Sequence, residues 1–210
     1  MTIEVVRGKE FAIHFDAKRC IHSRNCVLDR PDVFVPNVKG EWIHPDKADA
    51  SGIEMLAHNC PSGAIRYERI DGGKTEAAPI VNTVRIRENG PLAFNAPLNI
   101  AGKEDGLRAT LCRCGESKNK PYCDGSHSAA GFKATGEIPT VEFQALEVRN
   151  GPLNVMPSEN GPLIVSGNLE VVSGTGRTSN KVTKAAFCRC GHSANKPYCD
   201  GTHAKVGFKS

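Results

Sequence analysis

The chain has 210 residues, 39% of them apolar and 6% aromatic, with 21 Gly and 13 Pro. That composition argues against one large core and for small, turn-rich modules with extra fastening. The net charge of +4 is mixed in sign, too weak for a nucleic-acid footprint, and apolar runs of about four or five residues leave no membrane-spanning helix. The stretch MTIEVVRGKE lacks the charged-then-apolar layout of an export signal, so a cytoplasmic protein is expected.

Nine cysteines fall into three groups of three, at positions 20, 26, 60, then 112, 114, 123, then 188, 190, 199. An odd count without an export signal points away from a disulfide framework and towards metal ligands.

The first 78 residues are expected to form one domain. EVVRG and EFAIHFD predict a short hairpin. Pro31–Phe34 and Ile53–Ala57 predict helical pieces around a turn at Asn37–Gly40. Asp71-Gly72-Gly73 through Pro79 reads as a linker. In this domain Cys20-x5-Cys26 is followed by Cys60-Pro61. A bacterial ferredoxin run has a cysteine between such a pair and a further Cys-Pro; here Ser23 stands in the middle position. Three thiolates suit a 3Fe–4S cluster. A 4Fe–4S cluster needs one more ligand, and His22 and His58 are nearby in sequence. Trp42 is expected in the core or under a loop.

Residues 79–210 repeat themselves. Residues 111–133, LCRCGESKNKPYCDGSHSAAGFK, match residues 187–209, FCRCGHSANKPYCDGTHAKVGFK, at 16 of 23 positions. Upstream, residues 88–100 match residues 159–171, and the second copy gains five residues in the turn-like stretch SGTGRTSNK. Two copies make a duplication, since a solenoid needs about three repeats. Asn-Gly-Pro-Leu at 89, 150 and 160 signals turns into short strands, and the one at 150 is placed to start another strand of a shared sheet. The positive excess lies wholly in this half, with 16 basic and 11 acidic side chains.

Each copy carries Cys-x-Cys-x8-Cys-x3-His: Cys112, Cys114, Cys123 and His127, then Cys188, Cys190, Cys199 and His203. Thiolates select zinc, copper or iron–sulfur centres over hard cations. A Cys3His set closes tetrahedrally around zinc, and it also serves a 2Fe–2S cluster with one His ligand. Zinc motifs more often use wider Cys pairs, whereas a Cys-x-Cys bite suits two thiolates on one iron. Asp124 is expected to cap a short helix that carries His127, with free amides aimed at the centre. Arg113, Lys120, Arg189 and Lys196 flank the ligands, either to soften the charge of a reduced cluster or as solvated surface. His192 replaces Glu116 of the other copy, so it is not read as a ligand. Gly174-Thr175-Gly176 is a turn, without the βαβ context of a dinucleotide site.

The run C-R-C-G-x-S-x-N-K-P-Y-C-D-G-[ST]-H resembles the CDGSH iron–sulfur domain family over about residues 80–210. The stretch CIHSRNCVLDRPDVF with NCPSGAI resembles divergent single-cluster ferredoxin-type domains over about residues 10–70. The first resemblance implies a 2Fe–2S cluster on Cys112, Cys114, Cys123 and His127, and another on Cys188, Cys190, Cys199 and His203. It also implies a strand-swapped β-cap whose pseudo-dimer lies within one chain.

The fold class expected is α+β. A small ferredoxin-like α+β domain covers 1–78 and holds one 3Fe–4S or 4Fe–4S cluster on Cys20, Cys26 and Cys60. A mostly-β, pseudo-two-fold unit covers 79–210, with repeats over about 80–135 and 141–210 and short helices beside two 2Fe–2S loops. The expected function is single-electron transfer between partner proteins, by a soluble monomer that is not an enzyme and binds neither nucleic acid nor membrane. Cluster transfer to apo-acceptor proteins, or sensing of redox state and pH through the His ligands, is the alternative. A structural zinc module is the second alternative. Imidazole competes with a proton under mild acid, so His127 and His203 are expected to make their clusters acid-sensitive.

Overall fold

The computed structural model describes residues 3–210; Met1 and Thr2, where the first expected domain begins, lie outside them. The chain divides into two compact units, the first ending at Ala77 and the second running Ala78–Ser210. The whole is α+β, and among the described residues no helix is long and apolar enough to cross a membrane.

In the first unit β1 (Glu4–Arg7) and β2 (Phe11–Phe15) form the expected hairpin, and β3 (Ile65–Arg69) pairs antiparallel with the other edge of β2. Between β2 and β3 lie α1 (Asn25–Asp29) and α2 (Ala50–His58). The Asp49 carboxylate caps α2 by accepting from the Gly52 amide at 2.8 Å, which satisfies one of the orphan donors of the first turn. Ile53, Leu56 and Ala57 then fall on one face and pack with Phe11, Ile13 and Ile65.

The helix expected at Pro31–Phe34 is absent; a turn stands there. Val33 and Phe34 are both buried, the Val33 carbonyl accepts from His44, and Phe34 bridges to Ile43. Burying two adjacent apolar side chains across the Asn37–Gly40 turn favours this extended pairing. The helix forms earlier, at α1, and places Cys26.

The second unit is one six-stranded sheet. Its strands are β4 (Thr83–Ile86), β5 (Leu92–Ile100), β6 (Lys103–Leu111), β7 (Leu153–Pro157), β8 (Leu163–Val172) and β9 (Thr178–Phe187). The short strands β4 and β7 share the middle row. Each pairs antiparallel with the long strand of its own repeat and parallel with that of the other. The exchange is symmetric: Thr83 faces Glu170 as Asn154 faces Asn99. The Asn-Gly-Pro-Leu at 150 does open a strand of the shared sheet. Alternate residues of every strand turn inward, so Val84, Ile86, Phe94, Leu98, Val155, Leu169, Val171 and Phe187 share one core.

Both long strands bulge at their midpoint, after Asn95 in β5 and after Ser166 in β8. At the second bulge Gly167 has φ +118°, and a Cβ there would meet the Pro152 carbonyl oxygen at 2.6 Å. The five residues that the second copy gains go into the β8–β9 hairpin around Ser173–Arg177.

Glu170 on β8 is buried and receives Arg149 Nε at 2.8 Å and Lys181 Nζ at 3.2 Å. Burial alone pushes its carboxyl up, but these hydrogen bonds outweigh burial and hold it below the ordinary carboxylate range. A depressed folded-state pKa contributes stability above the unfolded value and loses it as pH falls through the folded one. Glu170→Gln is therefore expected to cost about 1–2 kcal/mol at neutral pH, with Arg149 half in water. In thermal melts the gap to the parent should hold from pH 8 to 5 and close only below about pH 4.3.

Candidate metal centres

In the second unit the ligand loops are extensions of the sheet. β6 ends at Leu111, and the chain returns to pair with it: the Cys112 amide donates to the Pro121 carbonyl at 2.8 Å, and the Cys123 amide to the Thr110 carbonyl at 2.9 Å. Cys188 and Cys199 are pinned in the same way, to Pro197 and Ala186, at 2.8 Å each. Two cysteines eleven positions apart in sequence thus become neighbours across a strand pair.

The residues that the repeats share build the intervening turn. The Ser117 hydroxyl donates to the Tyr122 carbonyl and accepts from the Asn119 amide, and Lys120 Nζ donates to the Ser117 carbonyl. Ser193, Tyr198, Asn195 and Lys196 repeat this set. Both Lys-Pro bonds, at 120–121 and 196–197, are cis.

The expected cap role of Asp124 is corrected. Gly125 is the N-cap of α3 (Ser126–Ala129), with φ +88°, and Gly201 that of α4 (Thr202–Lys205), with φ +85°. Asp124 stands one residue earlier and staples the loop: its carboxylate accepts from the Lys118 amide at 2.8 Å and the Ser126 amide at 3.0 Å. Asp200 does the same with Ala194 and Thr202. The first helical amide is therefore occupied. The amide that reaches sulfur is that of the glycine cap, Gly125 to Cys123 Sγ and Gly201 to Cys199 Sγ, both at 3.4 Å.

Each repeat presents its four donors as two pairs. Cys112 Sγ and Cys114 Sγ are 3.7 Å apart, and Cys123 Sγ lies 3.3 Å from His127 Nδ1. Cys188 and Cys190, then Cys199 and His203, reproduce both distances. Among the described residues no three Cys, His, Asp or Glu side chains close on a single point as a one-metal site requires. Burial pushes the Cys123 thiol up to about 11. The S–H···S contact within the first pair lowers Cys112 and raises Cys114. Burial lowers His127; Asp124 opposes this, and Arg113 and Arg87 add to it.

Arg113 and Arg189 are not solvated surface. They are 1% and 4% exposed. Arg113 donates to the carbonyls of Gly90, Arg87, Ala134 and Thr135, and Arg189 to those of Gly161 and Ser158. They clamp each Cys-x-Cys segment to the Asn-Gly-Pro-Leu turn of its own repeat. Sequence reasoning missed Gly115 and Gly191, although their identical place after each Cys-x-Cys was a signal. Cys114 and Cys190 form a backbone bridge between the repeats. A Cβ on Gly115 would meet the Cys190 carbonyl oxygen at 2.7 Å, and one on Gly191 the Cys114 oxygen at 2.3 Å.

In the first unit Cys20, Cys26 and Cys60 come from a loop, a helix and a turn, yet all three line one cavity of about 700 Å³. The Asn25 amide donates to the Asn59 carbonyl at 2.9 Å, and the Asn59 amide to the Asp29 carboxylate at 3.1 Å, joining α1 to the Cys60 turn. His22 lines the same cavity, with Nδ1 4.0 Å from Cys20 Sγ. His58 does not: its Nε2 faces the Glu76 carboxylate at 3.6 Å. The remaining wall is mostly apolar and includes Phe15, Val35 and Trp42, so Trp42 lies under the loop as expected. Burial raises the Cys20 and Cys26 thiols.

Comparison with known proteins matches both units. The CDGSH-type iron-binding zinc finger family matches twice, over residues 81–128 and 160–204. The divergent 4Fe–4S mono-cluster family matches over residues 6–69. The chain is 36% identical over 61 residues to the uncharacterized protein YjdI of Escherichia coli K12, covering 29% of this chain and 78% of that protein. It is 29% identical over 91 residues to CDGSH iron-sulfur domain-containing protein 1 of Rattus norvegicus, covering 43% of this chain and 73% of that protein. No solved structure matches the chain.

The meeting of Gly115 and Gly191 yields a direct check. Gly191→Ala combines a φ of +84° with a backbone collision, whereas Gly201→Ala has a φ of +85° and open space. Gly191→Ala should cost about 2–4 kcal/mol and Gly201→Ala about 1, read as loss of melting temperature in the purified proteins.

Proposed function

The chain belongs to the CDGSH iron–sulfur family, joined to a divergent 4Fe–4S mono-cluster domain, and on that footing we propose that it carries single electrons on two 2Fe–2S clusters and one 4Fe–4S cluster. The observation that carries the reading is the pairing of donors. A mononuclear zinc site gathers four donors around one ion. Two separate pairs, Cys112 with Cys114 and Cys123 with His127, suit a centre of two irons, each taking one pair. Cys188 with Cys190, and Cys199 with His203, serve the second centre. In the first unit Cys20, Cys26, Cys60 and His22 surround the cavity, and His22 completes the set that three cysteines leave short. When bound, such clusters supply one-electron chemistry at potentials that hydrogen bonds and burial tune.

The chain's own groups do the rest. Buried thiols and apolar walls keep water from the centres, which favours the less charged state. Amides of Glu116, Gly125, His192 and Gly201 donate to cysteine sulfurs and withdraw charge from them. On this reading the protein is a carrier and not an enzyme, and works in the cytoplasm between redox partner proteins.

One observation favours cluster donation as a second reading. Cys112, Cys114, Cys188 and Cys190 are buried, while His127 and His203 sit half-exposed on four-residue helices. The histidine side is where an acceptor's thiols would enter. If clusters are cargo, His203→Cys should slow loss of iron to an apo-acceptor; equal transfer by parent and variant removes this reading.

Iron, zinc and acid-labile sulfide per chain, on protein purified without oxygen, test the main proposal. The cluster set calls for about eight iron and eight sulfide. His22→Ala should fall to about seven iron with sulfide unchanged, as a 3Fe–4S centre requires, while His58→Ala stays at the parent value. Two or three zinc with no sulfide would overturn the proposal.

A further inference from the structure

The period of two along β4 sends Val84 and Ile86 into the core and turns Arg85 and Arg87 the other way. Arg85 is exposed and Arg87 half-buried. There they line a cavity of about 500 Å³ whose other walls are Glu88, Gly136, Glu137 and the Gly174-Thr175 tip of the β8–β9 hairpin. That tip belongs to the stretch that only the second copy has gained. The second copy in turn carries Met156 and Ser158 in place of the two arginines. The cavity therefore stands on one side of the pseudo-two-fold, apart from both ligand loops.

Its walls are built and fastened. The Glu88 carboxylate accepts from the Gly136 amide, and the Glu137 carboxylate from the Thr175 amide at 2.9 Å. The Gly174 amide donates to the Gly136 carbonyl at 2.9 Å. Both glycines close on the Ile86 carbonyl oxygen, which a Cβ would meet at 2.8 Å from Gly136 and at 3.3 Å from Gly174. The Thr175 hydroxyl meets that of Ser173 at 3.0 Å. Both carboxylates are thus committed to backbone amides. Among the described residues, neither the Arg85 nor the Arg87 guanidinium makes a hydrogen bond or an ion pair. Arg85 Nη2 reaches the hairpin tip, 3.9 Å from where a Cβ on Gly176 would stand. Two neighbouring cations without partners repel each other, and burial together with Arg85 lowers Arg87.

We propose that this cavity binds a phosphate monoester, with the phosphate group bridging Arg85 and Arg87. A single carboxylate would leave one of the two cations unmet. A phosphate monoester carries close to two negative charges and presents three strong acceptor oxygens, which the planar forks of guanidiniums take in pairs. The cavity exceeds what a bare phosphate fills and falls within the ~300–1,000 Å³ of small-molecule sites. The carboxylate oxygens of Glu88 and Glu137 at its wall are acceptors that suit hydroxyl groups on the organic part of the ester.

Calorimetric titration of the full-length protein tests this with AMP, inorganic phosphate and adenosine as probes. AMP should bind, adenosine should not, and inorganic phosphate should bind at least tenfold more weakly than AMP. Arg85→Met and Arg87→Ser install the residues of the second repeat. Each should weaken AMP at least tenfold, the loss expected for a hydrogen bond to a charged group, and should melt with the parent. Lys103→Ser removes an exposed cation at the start of β6 and should leave AMP binding unchanged. Should Arg87→Ser melt early, the exposed Arg85 decides through Arg85→Met alone. Inorganic phosphate binding as tightly as AMP would overturn the ester and leave a site for the free ion. No binding of AMP, unchanged binding in both arginine variants, an equal loss in Lys103→Ser, or a glutamate-rich peptide binding in preference to AMP would overturn the phosphate site itself.

Discussion

β4 hydrogen-bonds to β5 of its own repeat along one edge and to β8 of the other repeat along the opposite edge, and β7 does the same in reverse. Neither repeat can therefore close its sheet alone. The inward residues of β4 and β7, Val84, Ile86, Leu153 and Val155, fill a core that both repeats line. A chain with so few aromatics gains from this arrangement, because two thin half-cores become one. The exchange also fixes the loops. β6 and β9 run out from the two long strands and end at Leu111 and Phe187, so both ligand loops leave the same sheet in two-fold relation. The contact of Cys114 with Cys190 is a consequence of strand pairing far below it.

That dependence explains what could be read from the sequence. The ligand loop is local: Cys112 to His127 spans a single turn closed by neighbours in the chain, and its spacing carries its geometry. The Asn-Gly-Pro-Leu turn at 150 announced a strand of the shared sheet. It could not name the partner strand, because the pairing of Asn154 with Asn99 joins distant segments whose patterns fit several neighbours. Arg113 was ambiguous for a related reason. A cation in a polar, glycine-rich loop looks solvated until the carbonyls of Arg87, Gly90, Ala134 and Thr135 are folded around it. Asp124 was assigned to a helix end by composition. The backbone put Gly125 there, since the chain turns through a positive φ, and freed the carboxylate to fasten the loop.

The first unit gathers donors by another route. Its cysteines come from three segments, and what unites them is the α1–Cys60 stitching through Asn25 and Asn59, not a repeated loop. Two non-glycine residues take positive φ beside the cavity, His22 at +53° and Arg24 at +65°. Such a conformation is costly for side chains of this size, and here it turns the Cys20–Cys26 loop so that His22 shares the cavity wall with the thiols. Both His22 and His58 lie near the cysteines in sequence, with His22 the expected candidate for a fourth ligand. The carboxylate of Glu76 facing His58 separates them.

Duplication made the two CDGSH centres alike in their donors but not in their surroundings. Arg85 on β4 and Arg87 just after it correspond to Met156 on β7 and Ser158 just after it, and Glu116 corresponds to His192. Arg87 acts on His127, where the second repeat has only a hydroxyl. On the far side, Glu170 binds Arg149 and Lys181, whereas its counterpart Asn99 meets Asn154 through a neutral hydrogen bond of 3.3 Å. Equal pair distances in the two loops therefore sit in unequal fields. Charge placement around the sheet is the lever by which one duplicated fold can hold two iron–sulfur centres in different fields.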